Sequence, residues 1–114
     1  MSTFFQFQRL TNGRDSRKIG NNTRAIKLAD DCYGIELHNT IVVKAYLDGR
    51  IVLNSGGWQS VTTKQRMNAY IPACVGVTQK DFKWFVSVDR WQSTVPYEDG
   101  FTMVEDNNGK VTVR

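Results

Sequence analysis

The residues best suited to recognise a ligand gather in residues 53–68, with the sequence LNSGGWQSVTTKQRMN. Two adjacent glycines permit a sharp bend, because glycine accepts backbone conformations that other residues adopt only at a cost. A free helix start after such a bend is a natural place for an anion. The aromatic and polar side chains that follow the bend, and that we assign to a binding surface, are Trp58, Lys64, Arg66 and Asn68.

Catalysis is not indicated by the other polar residues. The one histidine, His38, lies between two predicted strands, where a turn histidine is the simpler interpretation. Ser55 precedes two glycines but lacks the first glycine of a G-x-S-x-G nucleophile elbow. The acidic pairs 30–31 and 98–99 are neighbours in predicted turns, and neighbouring side chains point apart. We therefore predict that the protein is not an enzyme.

Metal binding and disulfide formation are equally unsupported by the cysteines. Cys32 and Cys74 have no CxxC neighbour, and the chain holds one histidine besides them. Because structural zinc takes about four Cys or His ligands, we predict neither a metal nor another cofactor. Two free thiols are the expectation for a reducing compartment.

The positive charge is concentrated at the start of the chain. The net charge is +4, and residues 1–28 hold six basic residues against one acidic residue, while the remainder holds nine against ten. Such asymmetry suggests a surface for a polyanion, although a solvated loop that maintains solubility is the alternative. From this part of the chain we assign four residues to the binding surface: Arg14, Arg17, Lys18 and Arg24.

The tryptophans add a second kind of contact. Surfaces of β-structure that combine stacking aromatics with Lys and Arg bind single-stranded nucleic acid. Trp84 and Tyr46 lie in predicted strands and are expected in the core, whereas Trp58 and Trp91 lie in predicted loops and are candidates for exposed contact.

Alternating apolar and polar residues predict an antiparallel meander over residues 23–54. Asp48-Gly49 between two β-runs is a strong hairpin signal, typical of a type I′ turn. The predicted strands of the meander are residues 23–28, 32–37, 40–47 and 50–53.

One helix is predicted after the glycines, over about residues 63–71. Thr62 and Gln65 fit a capping box, and Met67, Tyr70 and Ile71 form an apolar stripe. Further strands are predicted at 74–78, 84–88, 101–104 and 110–113, with 89–100 as a long connection.

The fold predicted from these elements is α+β, with six to eight short antiparallel strands and one helix packed on the sheet; a small open β-barrel is the alternative. We expect a single domain over residues 1–114, with an edge strand at 5–8 and a basic loop or flexible segment at 9–22. Because the apolar runs fall short of about 18 residues, we predict no contact with a membrane. The N-terminus also lacks the pattern of a signal peptide.

Residues 53–58 (LNSGGW) and 62–68 (TTKQRMN), together with LHNT at 37–40, resemble a group of small proteins encoded by bacteriophages and related mobile elements. The matching section covers about residues 21–72. The resemblance implies a phage or plasmid origin and a location in the host cytoplasm. It brings no catalytic residues to this chain.

Three functions are consistent with these observations. The first is binding of nucleic acid through the basic N-terminal segment and the elbow at 55–68. The second is an inhibitor or adaptor that binds a host protein, such as a defence complex, and the third is a component of the virion or its assembly. The sequence does not determine the oligomeric state.

Overall fold

The structure is a computed structural model and describes residues 2–114. Within these residues the chain forms two helices and ten strands, which confirms the predicted α+β class and exceeds the predicted number of elements. In chain order they are α1 (Thr3–Thr11), β1 (Ser16–Gly20), β2 (Thr23–Ala29), β3 (Cys32–Leu37), β4 (Thr40–Tyr46), β5 (Arg50–Leu53), α2 (Val61–Tyr70), β6 (Gly76–Lys80), β7 (Lys83–Val88), β8 (Ser93–Pro96), β9 (Phe101–Glu105) and β10 (Val111–Val113).

The strands form two antiparallel sheets. Strands β1, β2, β3, β4, β5, β9 and β10 lie side by side in that order, and β6, β7 and β8 form a separate three-stranded sheet. Strand β2 pairs with β3, β3 with β4, and β4 with β5, so the predicted meander is confirmed. In the described part of the chain neither sheet closes on itself, which favours the meander over the small-barrel alternative.

The hairpin at Asp48-Gly49 is present, but its turn is not type I′. A type I′ turn requires positive φ at both central residues. Gly49 has a φ of 99°, whereas Asp48 is not among the residues of positive φ. The N–H of Gly49 donates to the carbonyl of Tyr46 at 3.0 Å, and the loop between β4 and β5 has three residues, 47–49. Positive φ, which favours glycine, is needed only at the last of them.

The predicted edge strand at residues 5–8 is wrong, because this segment lies in helix α1. Ser2 caps the helix, with its Oγ accepting a hydrogen bond from the N–H of Phe5 at 3.4 Å. Phe4 and Phe7 are buried on one side of the helix, and Phe5 is exposed. The alternation of Phe and Gln in the sequence therefore mimics a strand over residues that are helical.

The basic segment 9–22 is not a loop throughout. Helix α1 continues to Thr11 and ends at Asn12, which adopts a left-handed conformation with a φ of 52°. Residues Ser16–Gly20 then form β1, an edge strand paired with β2. An edge strand exposes much of its surface and can be mostly polar. The one large apolar residue of β1 is Ile19, so its sequence shows no alternation of apolar and polar residues.

Helix α2 begins two residues earlier than predicted. Its cap is Ser60, whose Oγ accepts a hydrogen bond from the N–H of Thr63 at 3.1 Å, so the predicted capping box at Thr62 is wrong. Met67 and Ile71 are buried, in agreement with the predicted apolar stripe. Arg66 consequently lies in the second turn, and its charge opposes the helix dipole less than the predicted start implied.

The C-terminal part holds one strand more than predicted. The connection predicted at 89–100 contains β8, which pairs with β7 as the edge of the small sheet. The hairpin of β9 and β10 is confirmed, and β9 also pairs with β5, so the last hairpin is joined to the meander.

The two aromatic residues predicted in the core differ in burial. The Trp84 side chain is buried as predicted, whereas Tyr46 is only half-buried. The Arg50 guanidinium lies over the Tyr46 ring, with its carbon 4.2 Å from the ring centre.

One apolar core joins all the layers. Buried side chains of both helices, the large sheet and the small sheet belong to a single cluster. On strand β2, Ala25 points into this core with no exposed surface, while the neighbouring Arg24 is exposed on the opposite face of the sheet. The cross-strand partner of Arg24 on β1 is Lys18, so both cations lie on that outer face.

Candidate nucleic-acid interface

The elbow that follows β5 is fixed by a buried hydroxyl and a carboxylate. Ser55 is 1 % exposed, and both its N–H and its Oγ donate to Oδ1 of Asp99, at 2.9 and 2.8 Å. The Tyr97 hydroxyl donates to the same oxygen at 2.6 Å. These bonds tie the end of β5 to the loop between β8 and β9, so Ser55 serves as a structural anchor.

The same hydrogen bonds set the ionisation of the anchor. Burial alone would disfavour the charged carboxylate of Asp99, but the hydrogen bonds from Tyr97 and Ser55 together outweigh it and lower its pKa. Burial raises the pKa of Tyr97, and its hydrogen bond to Asp99 raises it further. The pair therefore consists of a neutral phenol and a charged carboxylate at neutral pH.

The two glycines of the elbow have different roles. Gly56 and Gly57 have φ values of 64° and 85°, so the predicted bend is confirmed. A Cβ on Gly56 would lie 2.7 Å from Cγ2 of Thr40, whereas a Cβ on Gly57 would meet nothing within 4 Å. Gly56 therefore allows the elbow to press against the start of β4.

Trp58 projects from this elbow into solvent. Its side chain is 73 % exposed, as predicted for a loop aromatic. Its main chain is held on both sides, because its N–H donates to the Ser55 carbonyl at 3.0 Å and its carbonyl accepts from the Ser60 N–H at 2.9 Å. An exposed ring on a constrained backbone provides a stacking surface at low entropic cost.

A pocket of about 460 Å³ lies beside the Trp58 ring. Leu37, Thr40 and Val42 contribute aliphatic groups, and hydroxyl, amide and imidazole groups supply the polar part of the lining. Most small-molecule sites combine an apolar lining with a few polar groups in a volume of about 300–1,000 Å³. The polar residues of this pocket are His38, Asn39, Ser55, Ser60, Thr62 and Thr63.

A second pocket, of about 390 Å³, adjoins the first. His38 and Asn39 line both pockets, so the two are adjacent, and we call them together the Trp58–Arg24 groove. His38 adopts a φ of 55°, and its N–H donates to the Asn22 carbonyl at 2.8 Å, which holds two hairpin tips together. The residues of the second pocket are Lys18, Asn22, Thr23, Arg24, His38 and Asn39.

The cationic end of the groove contains groups without a direct ion pair. Lys18 lies opposite Arg24 across β1 and β2, an arrangement that destabilises a sheet when no anion intervenes. Glu36 is the partner of Arg24 on β3 and offsets part of this charge. In the described part of the chain the ion pairs are Lys27–Asp30 at 3.2 Å and Arg50–Asp48 at 2.9 Å, neither of them in the groove.

Arg66 joins helix α2 to this end of the groove. Its Nε donates to Oγ1 of Thr23 at 2.9 Å, and Thr23 lines the second pocket. The structure thus brings together three of the residues predicted from the sequence along the groove, Lys18, Arg24 and Trp58, and it connects a fourth, Arg66, to Thr23 of the lining.

Like Arg66, the other five predicted residues do not line the groove, and three of these five make structural contacts. Arg17 donates from its guanidinium to the Leu10 carbonyl at 3.1 Å, at the end of α1. Asn68 forms two hydrogen bonds with the main chain of β6. Trp91 is half-exposed, yet its ring covers Gly76 so closely that a Cβ there would clash. Arg14, in the turn after α1, is exposed, and Lys64 on α2 is half-buried.

The sequence does not mark most of the groove lining as binding candidates, including His38 and Asn39 at the junction of the two pockets. Both lie in a turn, as predicted for His38, and their place at this junction depends on the contact between two hairpins. The positive φ of His38 is the one local sign of an unusual role, and it is not visible in the sequence.

Among residues 2–114 no group of three or more His, Cys, Asp or Glu side chains is arranged to hold a metal ion. No helix in the same range is long and apolar enough to cross a membrane. Both cysteines are free, as expected; Cys32 is buried, which raises the pKa of its thiol, and Cys74 is half-buried.

Comparison with known proteins identifies the lineage of the chain. Neither the curated proteins nor the solved structures include a match to it. Residues 6–104 match the family model described as Kyanoviridae Gp96 protein, which agrees with the predicted phage origin. Because that match covers most of the chain, the protein belongs to this family of bacteriophage proteins.

Proposed function

We propose that this phage protein is not an enzyme and binds single-stranded nucleic acid in the Trp58–Arg24 groove, in the host cytoplasm. The observation that carries the proposal is the layout of that groove. An exposed tryptophan stands at one end and the cations Lys18 and Arg24 at the other, with a polar-rimmed pocket between them.

A nucleotide has two parts that match the two ends. A base is flat and apolar on its faces, and it stacks on an aromatic ring with a gain of about 1–3 kcal/mol. Its phosphate is attracted to unpaired Lys and Arg side chains. In our proposal a base enters the pocket beside Trp58, and an adjoining phosphate lies against Lys18 and Arg24.

A single strand fits the groove better than a duplex does. In a duplex the bases are stacked on one another, so a pocket can admit a base only after it is unpaired and unstacked. The rim residues Asn39 and Thr62 are exposed and present an amide and a hydroxyl group that can hydrogen-bond to an exposed base edge. The proposal therefore predicts a preference for unpaired strands.

Fluorescence anisotropy with labelled single-stranded DNA, single-stranded RNA and duplex DNA tests the proposal. We expect salt-sensitive binding that favours single strands and weakens at least tenfold in Trp58→Ala and Lys18→Glu. Trp58→Phe keeps a stacking ring and should retain most of the affinity. Lys110→Glu makes the same charge change at an exposed site outside the groove and should bind as the wild type does.

Arg17 is not substituted in this test, because its guanidinium donates to the Leu10 carbonyl at the end of helix α1 and lies outside the groove. Absence of binding by the wild-type protein at low salt would overturn the proposal. The groove would then be assigned to a host protein, to be sought by pull-down with Trp58→Ala as the matched negative control.

A further inference from the structure

The hairpin of β6 and β7 presents an aromatic side chain at its tip. Lys80 pairs with Lys83, so the connecting loop consists of Asp81 and Phe82. Both loop residues have positive φ, of 52° and 65°, as in a type I′ turn. Phe82 is 93 % exposed, more than any other large apolar side chain in residues 2–114.

Three features of this tip are unfavourable for folding. A bulky side chain at positive φ strains the backbone, and Asn or Gly is strongly preferred at this place in the turn. The phenyl ring gains nothing from burial, because it lies almost wholly in solvent. The two lysines face each other directly across the strands, where like charges repel.

A combination of such local conflicts is expected where a residue is retained for binding rather than for stability. The tip carries two ammonium groups against the single carboxylate of Asp81, and all of these residues are exposed. An aromatic ring flanked by cations has the chemistry of a contact that stacks on a base and approaches the adjoining phosphates.

We propose that Lys80, Phe82 and Lys83, which we call the hairpin tip, form a second nucleic-acid contact on this protein. The inference rests on the proposed function of the groove and extends it. Phe82 stacks on an unpaired base, and the two lysines neutralise phosphates on either side.

The hairpin is attached firmly to the element that follows the groove. Asn68 on α2 holds Val77 at the start of β6 through two hydrogen bonds. From Val77 to Lys80, where the turn begins, the extended strand spans about 10 Å, at about 3.3 Å per residue. No tip residue lines either pocket of the groove, so the tip is a separate contact, and we expect a strand that reaches both to be longer than the groove alone requires.

The variant Phe82→Gly separates stability from binding. It creates Asp-Gly, the preferred sequence for this turn, so the unfolding temperature should rise by about 4 °C. Affinity for a single strand of about 20 nucleotides should fall about tenfold, while affinity for one of about 5 nucleotides, which the groove alone accommodates, should not change. Phe82→Trp keeps a ring and should retain the affinity for the long strand.

Three results would overturn the inference in distinguishable ways. If the wild type binds both lengths and Phe82→Gly binds both equally well, the hairpin tip makes no contact and the groove proposal stands. If the wild type binds neither length, the groove proposal fails and the hairpin proposal fails with it. Loss of binding to vesicles of anionic lipid in Phe82→Gly, with oligonucleotide binding unchanged, would assign the tip to a membrane surface instead.

Discussion

Oδ1 of Asp99 accepts hydrogen bonds from both the N–H and the Oγ of Ser55, at 2.9 and 2.8 Å, across 44 positions of sequence. This double contact fixes the elbow from which Trp58 projects. The main-chain carbonyl of Ser55 in turn accepts the N–H of Trp58. A carboxylate on a distant loop thus positions the main chain that carries the exposed ring.

The Asp99 anchor predicts a specific dependence of stability on pH. Folding lowers the pKa of Asp99 below its ordinary value of 3.8, so the charged carboxylate stabilises the fold above about pH 4. This stabilisation is lost as the pH falls through the lowered pKa. We expect Asp99→Asn to be less stable than the wild type at pH 6, and the difference to shrink below pH 4.

Thermal unfolding of both proteins between pH 6 and pH 2.5 provides the measurement. Glu98→Gln removes the neighbouring exposed carboxylate and is the matched control. Its difference in stability from the wild type is not expected to shrink below pH 4. A gap between wild type and Asp99→Asn that stays constant over the whole range would show that the carboxylate charge does not stabilise the elbow.

The two glycines of the elbow should respond differently to alanine. Both substitutions place a side chain at positive φ, which costs about 1 kcal/mol. Gly56→Ala also forces a Cβ against Thr40, 2.7 Å away, whereas the space beside Gly57 is open. We expect Gly56→Ala to lower the free energy of unfolding by about 1–3 kcal/mol more than Gly57→Ala, as measured by urea denaturation. Equal losses would mean that Thr40 moves aside without cost.

Asn68 should contribute to stability and not to ligand binding. Its Nδ2 donates to the Val77 carbonyl at 2.9 Å, and its Oδ1 accepts the Val77 N–H at 2.7 Å. Asn68→Ala leaves both main-chain groups without these partners, and we expect a loss of about 2 kcal/mol in the free energy of unfolding. Gln65→Ala, at an exposed position on the same helix, is the control. If folded Asn68→Ala bound oligonucleotides less tightly than the wild type, Asn68 would have to be a binding residue, contrary to this prediction.

The meander and the elbow were predictable because their signals are local. Alternation of apolar residues, an Asp-Gly turn and paired glycines each act within a few positions, and the structure confirms all three elements. The exposure of Trp58 and Trp91 also followed from their place in loops. These features need no knowledge of which strands become neighbours.

The errors arose where distant contacts decide the local structure. Helix α1 is favoured because Phe4 and Phe7 pack on the sheet, with Phe4 5.3 Å from the Tyr33 ring between ring centres. Strand β1 exists because it pairs with β2, although its own sequence is mostly polar. Asp99 looked like an ordinary turn residue, since its bonds reach a serine far away in sequence.

The candidate site could be predicted only in part for the same reason. Basic residues and an exposed tryptophan are visible in the sequence, but their convergence is not. The register of β1 on β2 places Lys18 beside Arg24, and the contact of two hairpins places His38 between the pockets. Arg17 and Lys18 are adjacent in the sequence, yet they lie on opposite faces of the edge strand and differ in role.

The most direct test of the groove is the salt dependence of single-strand binding by the wild type, Lys18→Ala, Arg24→Ala and the control Lys110→Ala. A plot of log affinity against log salt concentration has a slope of about −0.7 for each phosphate contact to a single strand. We predict that each groove variant has a slope smaller in magnitude by about 0.7, and that Lys110→Ala keeps the wild-type slope. Binding that does not depend on salt, or slopes that are equal in all four proteins, would contradict the proposal that Lys18 and Arg24 contact phosphates.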